Sequence, residues 1–348
     1  MHKHFRITTR LLSLAVVFLL AGCAELALPP DQLNAPDPSF DTAVVALNIA
    51  PTPTAQPVPI ASETPTPSPT PQPSPTPTLF AAAMNVADPN CHESAGQVVK
   101  DKFASTVIGR DVPVKLYLPP CYDDAGNIDQ YPVIYLFHGS PFNENHWISV
   151  GAIDAANNLI GSGELPPFII VLPRGDLDGT FGHSSGGDNS WEGVVVNELV
   201  PYIDGNYRTL TNRHYRAIGG ISRGGVWSLE IGLRHPDLFS SIGSHSPALS
   251  VNLASGDYDP FVIVRNRPID SMRIYLDAGD TDWTRPETSN LSKALDDLHL
   301  PHTFAINPGD HLDSYWSSQV YAYLRFYAAP WKAERVAAIQ AQTPASPP

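Results

Sequence analysis

Gly219-Gly220-Ile221-Ser222-Arg223-Gly224-Gly225 sits between two stretches of different periodicity. The apolar run at 214–218 ahead of it reads as a strand, and residues 226–233 behind it read as a helix. A Gly-x-Ser-x-Gly at a strand-to-helix junction is the nucleophile-elbow pattern. The turn is so tight that only small residues fit two before and two after the serine. Its backbone would hold the Ser222 side chain out above a sheet. Gly and Ser are common in ordinary loops, so the weight comes from the strand before and the helix after. Such a serine needs a histidine, an acid and an oxyanion hole elsewhere in the chain.

Outward from the elbow, short apolar strands alternate with helical patterns. Residues 98–118 read as two strands, the clearer at 112–118. Pro132-Val133-Ile134-Tyr135-Leu136-Phe137 and Pro167-Phe168-Ile169-Ile170-Val171-Leu172 are continuous apolar runs, expected of strands buried on both faces. A Gly- and Ser-rich loop follows at 175–190. Residues 191–204 show helical spacing, with Val195, Leu199, Tyr202 and Ile203 on one face. Further strands are expected at 240–244, 272–277 and 302–306, with helices at 288–298 and 314–328. This alternation predicts a mostly parallel, doubly wound α/β sheet with helices on both faces. Ligands in such sheets bind at the carboxyl ends of the strands, where the elbow lies.

The chain has 348 residues and a formal net charge of -14, which disfavours a nucleic-acid partner. Its N-terminus carries Lys3, Arg6 and Arg10, then ten apolar residues, 11–20, too short to span a bilayer and laid out as a signal peptide. Leu20-Ala21-Gly22-Cys23 resembles the bacterial lipobox. That resemblance implies a signal at 1–22, lipidation of Cys23, and a protein tethered to a membrane on the extracytoplasmic side of the cell envelope. Of the 36 prolines, most of the excess lies before residue 80. The Pro-Thr-Ser tract at 51–78 lacks the apolar surface to order itself. Fully extended as polyproline II, it would reach roughly 90 Å. A disordered linker is therefore expected over 23–84, a folded domain over 90–330 and a disordered tail over 331–348. With Cys23 lipidated, Cys91 and Cys121 remain as a pair. In an oxidising compartment they are expected to form a disulfide, the alternative being two buried thiols.

The histidine should follow a strand late in the chain. His245 and His311 satisfy this, and His311, in Asn307-Pro308-Gly309-Asp310-His311, directly follows the last strand. The acid should end the strand between nucleophile and base. Asp277, Asp280 and Asp282 are the candidates, and spacing leaves Asp280 and Asp282 open. Ser, Asp, His is the chain order of α/β-hydrolases. Oxyanion donors are expected from the backbone N–H groups of Arg223, after the nucleophile, and Ser140, after His138-Gly139. No metal site or cofactor is indicated. Trp147, Trp191, Trp283 and Trp316 are expected in or near loops at the active face, as stacking surfaces or as packing.

Over residues 98–328 the chain resembles the esterase D and feruloyl-esterase-like branch of the α/β-hydrolases, a group that includes enterochelin esterases and mycolyltransferases. The resemblance is carried by Tyr117-Leu118-Pro119-Pro120-Cys121-Tyr122, Tyr135-Leu136-Phe137-His138-Gly139, Asn197-Glu198-Leu199-Val200-Pro201-Tyr202-Ile203, the elbow, His235-Pro236-Asp237-Leu238-Phe239, and Gly309-Asp310-His311 with Trp316. It implies a serine esterase in which the Gly-x-x-Asp aspartate, Asp282, is the acid, and it supports Ser140 as an oxyanion donor. The implied substrates are feruloyl or acetyl esters of extracellular carbohydrate. Acyl transfer, siderophore or thioester cleavage, or a non-catalytic surface binding module are the alternatives. Two positions depart from the family. Cys121 stands where a small residue is usual, and Asp310 replaces the second glycine of Gly-Gly-His.

Overall fold

A computed structural model describes residues 91–175, 186–252, 254, 256–269 and 271–342. The expected signal, Cys23, the Pro-Thr-Ser linker, the centre of the 175–190 loop and the residues after 342 lie outside this set. An eight-stranded sheet runs through the domain. Its strands are β1 (Gln97–Ser105), β2 (Arg110–Leu118), β3 (Val133–Phe137), β4 (Ile169–Pro173), β5 (Arg216–Ile221), β6 (Ser241–His245), β7 (Arg273–Gly279) and β8 (Thr303–Asn307). The order across the sheet is β1-β2-β4-β3-β5-β6-β7-β8. β1 and β2 pair antiparallel, as do β2 and β4, and every pair from β4 onward is parallel.

The apolar runs explain the centre of this sheet. Side chains alternate faces along a strand, so a strand covered on both sides must be apolar at every position. In β3, Val133, Tyr135 and Phe137 join one core, while Ile134 and Leu136 join the other. In β4, Ile169 and Val171 divide from Ile170 and Leu172 in the same way. Helices α1 (Ala152–Gly161) and α6 (Asp313–Gln342) cover the second face. The first face is covered by α2 (Val200–Asn206), α3 (Arg223–Arg234), α4 (Pro260–Asn266) and α5 (Arg285–Asp297).

Several boundaries differ from expectation. His214 and Tyr215 belong to a 3₁₀ turn, Arg213–Tyr215, because the Asn212 side chain accepts from the His214 N–H and caps it. β5 therefore starts at Arg216 and runs to the residue before Ser222. The helical stretch at 191–204 is not one regular helix. A short helix, Trp191–Gly193, widens into a π-helix, Val194–Leu199, before α2. Pro201, which has no N–H for the preceding turn, follows directly. The expected domain end at 330 is passed. α6 continues through Pro330 to Gln342. Trp331 is buried and its Nε1 donates to the His214 carbonyl at 2.9 Å, while Tyr215 donates to Glu334 at 2.9 Å.

Cys91 and Cys121 form a disulfide closing 30 residues of chain, and Glu93 accepts from the Cys121 N–H at 2.6 Å. The first described segment is thereby tied to the end of β2. Replacing both cysteines by serine should destabilise the domain by about 3.6 kcal/mol, the entropy of a loop this long. An apparent melting midpoint lower by ~7–14 °C, with no further fall on adding reductant, is the expected reading.

Glu192 locks the first helical turn at 191–193 to the end of α3. It accepts from Arg234 Nε and His235 Nε2, both at 2.7 Å, and from the Gly187 N–H at 2.6 Å. Burial pushes its pKa up, but the bonds from His235, Arg234 and Gly187 outweigh this and hold it at about 2. A depressed carboxylate stabilises the fold above its unfolded value near 4.5 and loses that contribution as pH falls toward 2. Urea titrations of Glu192→Gln should show a lower midpoint than wild type at pH 7 and a gap that closes between pH 4.5 and 2. A gap independent of pH would contradict this.

Candidate active site

The elbow forms because two glycines touch. A Cβ on Gly220 would lie 2.1 Å from the Gly224 carbonyl, and one on Gly224 would lie 2.3 Å from the Phe137 oxygen. Ser222 between them has φ 56° and ψ −114°, a region that costs an ordinary residue ~1–3 kcal/mol. The neighbouring strand holds it there. The Ser222 N–H donates to the His245 carbonyl at 2.9 Å, and the Ser222 carbonyl accepts from the Ala248 N–H at 3.2 Å.

His311 comes from the loop after β8, and its Nε2 lies 3.0 Å from Ser222 Oγ. Its Nδ1 lies 2.9 and 3.1 Å from the two carboxylate oxygens of Asp282, in the loop after β7. An ionised carboxylate only accepts, so Nδ1 carries the proton and Nε2 is left to accept from the Ser222 hydroxyl. Asp282 also accepts from the Thr284 N–H and hydroxyl, both at 2.8 Å. Burial pushes its carboxyl up, but bonds from His311, the Thr284 N–H and the Ser246 hydroxyl bring it below the usual range, so it stays ionised. Ser246, at φ 49°, also accepts from Trp316 Nε1 at 3.1 Å, which leaves its own proton for Asp282.

The other candidates lie elsewhere. Asp280 Oδ1 accepts from the Gly309 N–H at 2.9 Å. Thr281 donates from its N–H and its hydroxyl to the Gly309 carbonyl, at 3.0 and 2.6 Å. Asp280 and Thr281 thus stitch the two loops together without touching the imidazole. Asp277 is buried, accepting from His245 Nδ1 and the hydroxyls of Tyr315 and Tyr323, each at 2.7 Å. His245 is the last residue of β6, not a loop residue, and its Nε2 meets Tyr327 Oη at 2.9 Å. That pair is sealed beneath the site. Asp310 accepts from the His311 N–H at 2.7 Å, which secures the loop where the second glycine is missing.

Ser140 follows β3 and lines the hollows on both sides of Ser222. Arg223 is the first residue of α3, so its N–H belongs to the helix terminus. Its half-buried guanidinium lies 5.8 Å from the Trp227 ring centroid, and burial lowers its pKa. The tryptophans divide. Trp147 and Trp191 are core residues, the former donating to the Phe137 carbonyl at 2.9 Å. Trp316 is buried edge-on to His311 with ring centroids 5.1 Å apart. Trp283 is 48% exposed, with its ring 4.8 Å from His311.

One hollow, of about 360 Å³, is lined by Phe142, Leu312, Asp313, Ser314 and Trp316. The other, of about 240 Å³, is lined by Arg223, Val226, Ala248, Val251 and Trp283. Both reach Ser140, Ser222 and His311. Among the described residues, no three His, Cys, Asp or Glu side chains gather as metal ligands would. Sequence reading missed His146, Ser246, Phe142 and Leu312. Ser246 adjoins the weighed His245, and His146 precedes Trp147, but neither position carries a local signal of its partners.

Residues 105–327 match the family model "Esterase". An endo-1,4-beta-xylanase/feruloyl esterase of Xylanibacter ruminicola is 32% identical over 203 residues, covering 57% of this chain and 26% of that protein. An esterase of Mycobacterium tuberculosis is 27% identical over 239 residues, covering 64% of this chain and 49% of that one. The chain thus spans about a quarter to a half of the length of these curated relatives. A solved ferulic acid esterase superposes with a TM-score of 0.62 at 26% identity, covering 68% of this chain and 98% of that one. By the family match and the strand order, this chain is a member of the Esterase family, built on the α/β-hydrolase fold.

Proposed function

We propose that the chain hydrolyses carboxylic esters through a Ser222–His311–Asp282 triad and an acyl-enzyme. The observation that carries this is the continuous line of hydrogen bonds from Ser222 Oγ through His311 to Asp282. Ser222 Oγ attacks the ester carbonyl carbon as its proton passes to His311 Nε2. Asp282 fixes the imidazole tautomer and stabilises the imidazolium that forms. The negative oxygen of the tetrahedral intermediate faces the backbone N–H groups of Ser140 and Arg223. Collapse breaks the C–O bond, and His311 gives its proton to the departing alcohol. Water, deprotonated by the same nitrogen, then attacks the acyl-enzyme, and the reverse steps release the acid and Ser222.

Each hollow joins apolar walls to polar groups. Val226, Ala248, Val251 and Trp283 line one beside the Arg223 guanidinium, and Phe142, Leu312 and Trp316 line the other beside Asp313 and Ser314. Such mixed walls suit an aromatic or short acyl group joined to a hydroxyl-rich alcohol such as a sugar. Feruloyl or acetyl esters of carbohydrate fit this description, and relatives described as feruloyl esterases support it. With Cys23 lipidated and the proline tract as a stalk, the site would work outside the cytoplasmic membrane. The Cys91–Cys121 disulfide is of the kind such compartments preserve.

Turnover of methyl ferulate and p-nitrophenyl acetate tests the proposal. Ser222→Ala should abolish it. Asp282→Asn should lower kcat by ~10³–10⁴-fold, as loss of a triad carboxylate does, and Asp280→Asn by less than about tenfold. A wild-type protein inert on all esters, or a Ser222→Ala variant that still turns over, would sink the hydrolytic reading. A reversal of the two aspartate effects would reassign the acid.

A further inference from the structure

Seven residues after Gly139, and outside the triad, a third histidine–aspartate pair flanks the site. The His146 side chain is fully buried at the start of a single helical turn, His146–Ser149. Its Nδ1 accepts the Gly139 N–H at 3.1 Å. The ring proton is therefore on Nε2, which donates to Asp313 Oδ1 at 3.0 Å. Phe142 stacks on the imidazole with centroids 3.9 Å apart and planes 9° from parallel, and Trp316 packs against it edge-on at 5.6 Å. Burial lowers the His146 pKa and outweighs the pull of Asp313, which favours the neutral ring able to accept.

The two ends of this bridge are the two loops that converge on Ser222. Gly139 precedes Ser140 and is wedged into the site. A Cβ there would lie 3.3 Å from Ser222 Cβ and 3.4 Å from His146 Cε1. Asp313 is two residues past His311, where α6 begins, and 167 residues from His146. Gly139 is held a second way, from its carbonyl, by Phe142 N–H at 3.0 Å and His138 Nδ1 at 2.8 Å. Its N–H has only His146 as an acceptor among the bonds observed. The His138–Gly139 peptide carries the N–H that His146 accepts, and the Gly139–Ser140 peptide carries the carbonyl held by Phe142 and His138, so the two sets of bonds together pin both torsions of Gly139. Releasing the first plane would let the Gly139 Cα shift and carry the Ser140 N–H from the position a carbonyl oxygen must occupy.

We propose that His146 is a positioning residue that fixes the His138–Gly139 peptide, and through the Gly139 Cα the Ser140 oxyanion donor, in register with the His311 loop through Asp313. This rests on the reading of Ser222, His311 and Ser140 as a hydrolytic centre. The bond to Gly139 is the one that bears on the transition state. The bond to Asp313 orients the ring and selects its tautomer. The effect belongs in kcat rather than KM, since an oxyanion donor acts on charge that develops after binding.

Two substitutions in the full chain separate the bonds. In His146→Asn the amide oxygen falls near the place of Nδ1 and can still accept from Gly139, but the reach to Asp313 is lost. In His146→Gln the amide nitrogen falls near the place of Nε2 and can still donate to Asp313, but the acceptor for Gly139 is lost. With p-nitrophenyl acetate, His146→Gln should lower kcat by ~10–100-fold with KM changed less than about threefold, the scale of a displaced donor. His146→Asn should recover most of that loss. Melting midpoints measured alongside separate misfolding from misplacement. Equal falls in the two variants, or a His146→Gln variant with wild-type kcat, would overturn the proposal. If His146→Gln does not fold, His146→Asn decides: a folded variant that loses more than about tenfold in kcat contradicts it, and one that keeps its kcat within that range supports it. A wild-type chain inert on every ester would overturn the hydrolytic reading beneath it instead.

Discussion

Backbone contact at the elbow sets the terms for everything around it. Gly220 and Gly224 pack against one another, and Gly224 packs against the end of β3, so β5 must turn into α3 within a few residues. Ser222 is left at a positive φ that a serine does not choose for itself. The sheet makes this conformation tolerable, because β6 binds the Ser222 N–H through the His245 carbonyl. β6 is itself anchored from below. His245 is fixed by Asp277 and Tyr327, and Asp277 by Tyr315 and Tyr323. Tyr327 can reach across the sheet because Gly219 and Gly243 have no side chains, where a Cβ would meet its hydroxyl at 1.8 and 2.0 Å. A strained serine thus rests on a buried polar network that α6 completes, every member of which has a partner.

The loops above the elbow are joined to one another as well as to the sheet. Asp280 and Thr281 hold Gly309, which sets the height of His311. Thr284 and Ser246 hold Asp282, which sets its rotation. Trp283 and Trp316 flank the imidazole. His146 and Asp313 connect the loop after β3 to the start of α6. Each of these bonds fixes a side chain or peptide before a substrate arrives, so little reorganisation remains for the reaction itself.

The fold was legible because its information is local. Two apolar runs that admit no polar face can only be central strands, and the change from period 2 to period 3.6 across Ser222 marks the junction. Ser222 and His311 could be picked out as candidates for the same reason, Ser222 directly following a strand and His311 lying in the short loop after one. Asp282 and Asp280 could not be separated by spacing, since both follow Gly279. What separates them is the turn in which Asp282 N–H bonds back to the Gly279 carbonyl, sending one carboxylate to Gly309 and the other to His311. Trp147 and Trp191 look the same in sequence as Trp283, yet two are core and one is half exposed. The role of His146 depends on a partner 167 residues away, which no local pattern can reveal. Likewise, Pro330 suggests an ending, whereas the burial of Trp331 against Phe168 and the turn before β5 carries α6 onward.

The central claim is that Ser222, alone among the serines clustered here with Ser140, Ser244 and Ser246, is the activated nucleophile. Treating the folded protein with a fluorophosphonate and mapping the adduct by peptide mass spectrometry tests this directly. One equivalent of phosphonyl group on Ser222, lost when the protein is unfolded before treatment, is the predicted result. A folded protein that takes up no label, or takes it up on another serine with Ser222 unmodified, would contradict it.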